Sequence, residues 1–277
     1  MADVCVVHLV WAPLGPAALQ RFVASYRARP AGAEHRLVVV WKGFGDSGPG
    51  ADHLAALDGL AHETLHYDLP TLDLPAYGWC AETLDAAHLC FLNSESTVLA
   101  DGWLAALLEP LRDPGVGATG ATGSYESPRS IIPFRRRRWP AFPNPHLRTN
   151  AFALSRDLMR ELRWPAVRTK PAAWELESGR DGFTRQVWGR GLQTLVVGRD
   201  GRPYAPAEWH RSATFRSGAQ ANLLVADNRT RQWDEADADL RARLSRMAWG
   251  ADPEAAAAQA PSGGSGGSGG PTRASGA

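Results

Sequence analysis

Two stretches of this chain bring oxygen-bearing side chains together at spacings that could do chemistry. The first is Phe91-Leu92-Asn93-Ser94-Glu95-Ser96, an apolar run that turns polar. Asn93 and Glu95 are two apart, so on an extended segment both point to one side. An oxygen pair of this kind can hold a divalent cation, Mg2+ or Mn2+, against a diphosphate. Asn93, Ser94 and Ser96 equally suit turns and caps at a strand end. The second stretch is Trp174-Glu175-Leu176-Glu177-Ser178-Gly179-Arg180-Asp181, in which three carboxylates crowd beside Arg180. A carboxylate there could take the proton of an acceptor hydroxyl. The alternative is that Ser178 or Asp181 caps a following helix while Glu175 and Glu177 are solvated.

Such groups need elements to position them. Open parallel sheets gather ligands at the carboxyl ends of their strands. Buried-strand patterns fall at Val4 to Trp11, Arg36 to Trp41, Leu65 to Leu69 and His88 to Leu92. Helical spacing falls between them, at Pro16 to Arg29, Ala51 to Leu60, Tyr77 to Asp85 and Gly102 to Arg112. This alternation predicts a mainly parallel sheet covered on both sides. Further on, Thr149 to Ser155 and Leu192 to Val197 read as strands, and Arg156 to Leu162 and Asp181 to Gly189 as helices. Ser127 to His146, rich in proline, reads as a long loop, and Asp234 to Met247 as a C-terminal helix.

Composition narrows the function classes. The 277 residues carry 30 Lys+Arg against 29 Asp+Glu, a net charge of +1, which argues against a general nucleic-acid binder. Cys5, Cys80 and Cys90 match no disulfide framework or zinc pattern, and point to a reducing, cytoplasmic setting. No apolar run approaches the length of a membrane span. Residues 1–250 read as one domain, and 251–277, rich in Ala, Gly and Ser, as a disordered tail.

The order of motifs carries a family resemblance. Phe91 to Glu95, then Ala100-Asp101-Gly102-Trp103-Leu104, then Asp113-Pro114-Gly115-Val116-Gly117-Ala118 resembles the middle of family-two glycosyltransferases of the GT-A fold. Arg148 to Arg156 is similar to the strand before that family's acceptor helix. Glu177 to Gly191 with Leu192 to Val197 is similar to its acidic segment, helix and last core strand. The resemblance runs in order from about Val4 to Gly198. It implies an α/β, GT-A-like three-layer sandwich with a mainly parallel central sheet. It also implies transfer of a sugar from a nucleotide-sugar donor to a glycan or lipid-linked acceptor, with inversion at the anomeric carbon and peripheral contact with a membrane.

The resemblance assigns roles residue by residue. Asn93 and Glu95 stand where the family has the aspartates of its metal motif. Glu177 or Asp181 would be the base. Asp68 and Asp73 lie where family members contact the nucleotide, with turn roles as the alternative. Lys42 or Asp46 would stand in for the family's base-binding run, and Ser94 and Arg180 would also contact the bound nucleotide-sugar. A catalytically silent domain that binds a nucleotide or a partner is the alternative function, in keeping with Asn93 in place of an aspartate. Two features lie outside the resemblance. Arg135 to Arg138, beside Trp139 and Phe142, could grip phosphates or form a solvated loop. Among the eleven tryptophans, Trp79, Trp103, Trp174 and Trp209 are candidates for a sugar platform, with core packing as the alternative.

Overall fold

The structure, a computed structural model, describes residues 3–130 and 137–260. It is an α/β sandwich built on an eight-stranded, mixed and mostly parallel sheet. Its strands are β1 (Val4–Trp11), β2 (Arg36–Lys42), β3 (Glu63–Tyr67), β4 (His88–Leu92), β6 (Val116–Gly120), β9 (Ala151–Ser155), β10 (Gln193–Val197) and β11 (Pro203–Tyr204), in the spatial order β11-β10-β6-β9-β4-β1-β2-β3. Two short pairs stand apart: β5 (Thr97–Val98) with β12 (Val225–Ala226), and β7 (Gly123–Ser124) with β8 (His146–Leu147).

Strands β1 to β4 pair in parallel. Strand β9 runs antiparallel between β4 and β6. That reversal matters for the site. It puts the start of β9, and Thr149 just before it, at the same edge as the carboxyl ends of β1 and β4.

Side-chain alternation explains the layers. In β1, Val7 and Leu9 face one core and Val6 and Val10 the other. In β4, Leu89 and Phe91 divide from Cys90 and Leu92 in the same way. A sheet buried on both faces therefore reads as a continuous apolar run. One face is covered by α1 (Pro16–Ala28), α2 (Ala51–Ala56) and α4 (Trp103–Leu108). The other face is covered by α3 (Asp73–Thr83), α5 (Arg156–Glu161), α6 (Lys170–Ser178) and α7 (Phe183–Trp188). A C-terminal arm, α8 (Asn228–Asp234), α9 (Ala238–Trp249) and α10 (Pro253–Ala258), adds Ala248, Trp249, Ala256 and Ala257 to that second core.

Several boundaries differ from the sequence expectation. Helix α3 begins at Asp73, not Tyr77. Pro75 does not prevent this, because a proline in the first turn lacks only an N–H that would have no helical partner. Helix α6 is an element the pattern did not reveal. Thr169 caps it, its hydroxyl accepting from Ala172 N, and Pro171 sits in its first turn. Glu175 and Glu177 are therefore inside a helix rather than ahead of one. Glycine ends α6 for a steric reason: a Cβ on Gly179 would lie 2.3 Å from the Glu175 carbonyl oxygen. The alanine run at 255–258 forms α10, capped by Asp252, with Ala256 and Ala257 buried. Glu254 anchors it to His210 and Arg211. Of the arginine run, Arg135 and Arg136 lie outside the described residues.

Candidate active site

The carboxyl edge of the sheet opens into a cleft of about 590 Å³. Its walls come from four places. Trp11 ends β1, Asn93 to Glu95 follow β4, Leu72 to Leu74 enter α3, and Lys170, Trp174 and Glu177 stand on α6. The arm closes the rim with Asn228 and Arg229 of α8. The volume lies within the range of small-molecule sites.

Glu177 is anchored through one of its carboxylate oxygens. Its Oε1 accepts the Thr149 backbone N–H at 2.8 Å and the Thr149 hydroxyl at 2.9 Å. No protein donor reaches its other carboxylate oxygen among the described residues. A carboxylate fixed through one oxygen presents the second as a base. Asp181, the other candidate, is elsewhere. It is 87% exposed, 4.0 Å from Arg163, and borders a separate pocket with Arg138 and Trp164. Arg180 is also outside the cleft, its Nε donating to the Arg137 carbonyl at 3.0 Å. The described end of the arginine run thus docks on the α6–α7 turn through Arg180, and Arg138 pairs with Glu175 of α6 at 2.7 Å.

On the opposite wall, Asn93 has turn duty. Its Oδ1 accepts from Glu95 N at 3.1 Å and from the Ser96 hydroxyl at 3.0 Å. Ser94 is buried at the wall and its hydroxyl has no partner among the described residues. A buried polar atom left alone carries a desolvation cost that a ligand could relieve. Glu95 is held by two guanidiniums: Arg21 reaches its Oε2 at 3.0 Å, and Arg231 bonds the same oxygen and, at 2.9 Å, the Glu95 carbonyl.

The donor set at Asn93 and Glu95 does not fit a divalent cation as arranged. The one neutral oxygen uses its lone pairs within its own turn, and the one carboxylate is already balanced by two arginines. Hard cations take several oxygens, usually with uncompensated carboxylate charge among them. Among the described residues, no three His, Cys, Asp or Glu side chains gather as a metal site.

Lys42 and Asp73 form a pair at the end of β2 and the start of α3, Nζ to Oδ1 3.9 Å. Burial lowers Lys42 from the usual lysine range, with Asp73 opposing. The crowding of its recess raises Asp73, opposed by Lys42 and assisted by Glu177. The Asp73 side chain is still 44% exposed, so solvent tempers this shift. Lys42 Nζ also lies 5.7 Å from the centroid of the Trp11 ring. Asp68 has the turn role instead, its Oδ1 accepting from Gly45 N at 3.0 Å. Asp46 sits in the short 3-10 turn of that loop.

Of the four tryptophans, Trp103 and Trp209 are core residues and Trp79 packs partly buried on Tyr67. Trp174 lines the cleft. The exposed aromatic of the site is Trp11, 39% exposed, which the sequence offered only as the last residue of a strand. Arg21 on α1, Lys170 on α6, and Arg229 and Arg231 on α8 were equally unsignalled, because the three helices lie far apart in the chain.

Across Trp174, Glu177 and Arg229 the cleft adjoins a second pocket of about 380 Å³. His146 borders it. Its Nδ1 faces the Asn144 carbonyl at 2.8 Å, so in the neutral ring Nδ1 carries the hydrogen and Nε2 the lone pair. Burial lowers its pKa from the usual histidine range, with Glu177 pulling the other way.

No family model matches the chain, and no curated protein matches it. Among solved structures, it is similar to a mannosyltransferase from Pyrobaculum calidifontis in complex with GDP-Man and Mn2+, at 15% identity and a TM-score of 0.40 over 58% of this chain. It is similar to glucosyl-3-phosphoglycerate synthase from Mycobacterium tuberculosis in complex with Mn2+, UDP and glucosyl-3-phosphoglycerate, at 13% identity and a TM-score of 0.43 over 60% of this chain. A third is mouse xyloside xylosyltransferase 1 in its apo form, at 14% identity and a TM-score of 0.44 over 72% of this chain and 86% of that one. The match spans 46% of the mannosyltransferase chain and 61% of the synthase chain. No helix among the described residues is long and apolar enough to cross a membrane.

Proposed function

We propose that this protein is a glycosyltransferase that takes a nucleotide-sugar as donor, with Glu177 as the base. The observation that carries the reading is one cleft at the carboxyl edge. It brings together an anchored carboxylate, an aromatic face, an orphaned hydroxyl and two cationic side chains. Trp11 and Asp73 would meet the nucleoside end. Lys170 and Arg229 would face the diphosphate, with Lys42 behind Asp73 adding positive charge.

The acceptor oxygen forms a bond to the anomeric carbon, the bond from that carbon to the diphosphate oxygen breaks, and the nucleoside diphosphate leaves with the electron pair. The acceptor proton passes to the unbonded oxygen of Glu177. A single displacement of this kind inverts the anomeric centre. The leaving diphosphate gains charge as the bond breaks, and fixed cations aimed at it lower the barrier. With Asn93 and Glu95 committed to their own contacts, that task falls to side chains of the chain itself. The acceptor would be a glycan or a lipid-linked sugar entering past Trp174.

The silent-domain alternative draws support from the same commitment of Asn93 and Glu95. Incubation with UDP-, GDP- and dTDP-sugars, read as nucleoside diphosphate release, separates the two. The proposal expects slow release that Glu177→Gln abolishes while nucleotide binding persists. Nucleotide binding with no release in either protein would favour the silent domain.

A further inference from the structure

We infer that the pocket beyond Glu177 is a phosphate-binding subsite, and that the acceptor carries a phosphate group. The inference rests on the reading of the neighbouring cleft as the donor site, and extends it to the class of acceptor.

The pocket is walled by four arginines from different parts of the chain: Arg148 ahead of β9, Arg216 in the loop before β12, Arg229 on α8 and Arg243 on α9. Glu126 and Glu177 are the acidic residues of its lining. Asp227, behind the wall, pairs with Arg148 at 2.7 Å. Four positive against three negative groups leaves a surplus before any ligand enters.

Arg216 marks the site as built. It is 4% exposed and pairs with Glu126, Nη1 to Oε2 3.4 Å, while its Nε has no hydrogen-bond partner among the described residues. A buried guanidinium with one long ion pair and an unmet Nε–H gains from a further oxyanion. Burial lowers its pKa to about 10, opposed by Glu126, with Arg148 and Arg229 pushing it further down. Its backbone is held at φ +45°, a conformation non-glycine residues seldom adopt. Gln220 fixes it there, Oε1 accepting from Arg216 N at 3.0 Å while Nε2 donates to the Thr230 carbonyl and to Asp234. Two of the guanidiniums lie over the Phe215 ring, Arg148 at 4.2 Å and Arg216 at 4.9 Å from its centroid. Guanidiniums gathered from several directions suit a tetrahedral oxyanion, whereas a planar carboxylate is satisfied by one bidentate arginine.

The pocket meets the donor cleft at Glu177, so a phosphate seated here would bring a hydroxyl of its own molecule towards the base. Leu240 and Met247 give the outer wall an apolar strip. The phosphate could therefore belong to a free phosphosugar or to a lipid-linked one, and the chemistry recognised is the same.

The test is titration of the full chain with methyl phosphate at low salt, followed by calorimetry, alone and with a saturating nucleoside diphosphate. The inference expects binding that Arg243→Gln weakens at least about fivefold, the scale of one charged hydrogen bond. It expects Arg112→Gln, a change at a surface arginine away from the pocket, to leave binding unaltered. Arg216→Lys is the deeper test, and exposed Arg243 keeps the result readable if that variant fails to fold. Absence of binding, equal binding of acetate, or affinity indifferent to Arg243 would overturn the inference. Phosphate binding in a protein that binds no nucleotide would uphold the subsite and sink the donor reading instead. Co-sedimentation with phosphatidic acid vesicles, lost in Arg243→Gln, would identify the source as a lipid; binding of methyl phosphate without it would identify a free phosphosugar.

Discussion

Thr149 holds Glu177 by two bonds to a single carboxylate oxygen, one from its backbone N–H and one from its hydroxyl. The pair joins the start of the antiparallel strand β9 to the last turn of α6. It leaves the other oxygen of Glu177 at the junction of the cleft and the arginine pocket. Replacing Glu177 by Gln keeps the shape and removes the base. Turnover is expected to fall by about 10²- to 10⁴-fold with nucleotide affinity retained. Asp181→Asn, in the separate pocket, is expected to change turnover by less than about twofold. Initial rates with a fixed donor check both.

Glu95 is expected to act through its arginines. Glu95→Ala should leave nucleotide binding in EDTA intact and lower stability by only about 1 kcal/mol, the scale of a partly solvated ion pair. Calorimetry with EDTA and then with Mn2+ checks it. An absolute requirement for the metal would contradict the reading of Asn93 and Glu95 given by their hydrogen bonds.

The first half of the fold was legible because β1 and β4 are buried on both faces, and a short uninterrupted apolar run suits a strand covered on both sides. Helix α6 was not legible, since its apolar positions are sparse and its glycine-rich end looked like a beginning. The site was half legible. Asn93 to Glu95 and the Glu177–Asp181 stretch stood out as local polar runs, although of the latter pair Glu177 lines the cleft and Asp181 does not. Arg231, 136 residues from the Glu95 it holds, did not stand out, because charge pairing across the chain leaves no local pattern. The arginine pocket was hidden for the same reason: its members come from four segments, whereas the conspicuous run at 135–138 has its described end on the α6–α7 turn.

Asp227 ties the arm to the sheet. Its carboxylate is 2% exposed, pairs with Arg148 at 2.7 Å, and caps α8 through Arg229 N and Thr230 N. Burial alone would raise its pKa, but Arg148 and the helix N–H groups hold it below the usual 3.8. The contribution is therefore present above about pH 4 and lost as pH falls through the lowered folded value. Asp227→Ala should cost about 3–5 kcal/mol, because it leaves Arg148 buried without its partner. Urea unfolding at neutral pH checks it.

His8 gives the protein a second acid sensitivity at higher pH. Both ring nitrogens are buried without partners among the described residues, and the ring stacks on Phe22 at 3.6 Å. Burial lowers its pKa from 6.5 to about 3. Between those values the unfolded chain takes up a proton that the folded one refuses, so stability falls as pH drops from 6.5. His8→Leu should flatten the slope of stability between about pH 6 and 4, with His146 supplying what remains. Thermal unfolding across that range checks it.

The most direct measurement is titration of UDP, GDP and dTDP into the full chain in EDTA, with Lys170→Gln beside the wild type. If the cleft between Glu95 and Glu177 seats a nucleoside diphosphate, at least one of the three binds, and Lys170→Gln weakens it about tenfold, as loss of a charged phosphate contact should. No binding by any of them, or an affinity unchanged in Lys170→Gln, would contradict it.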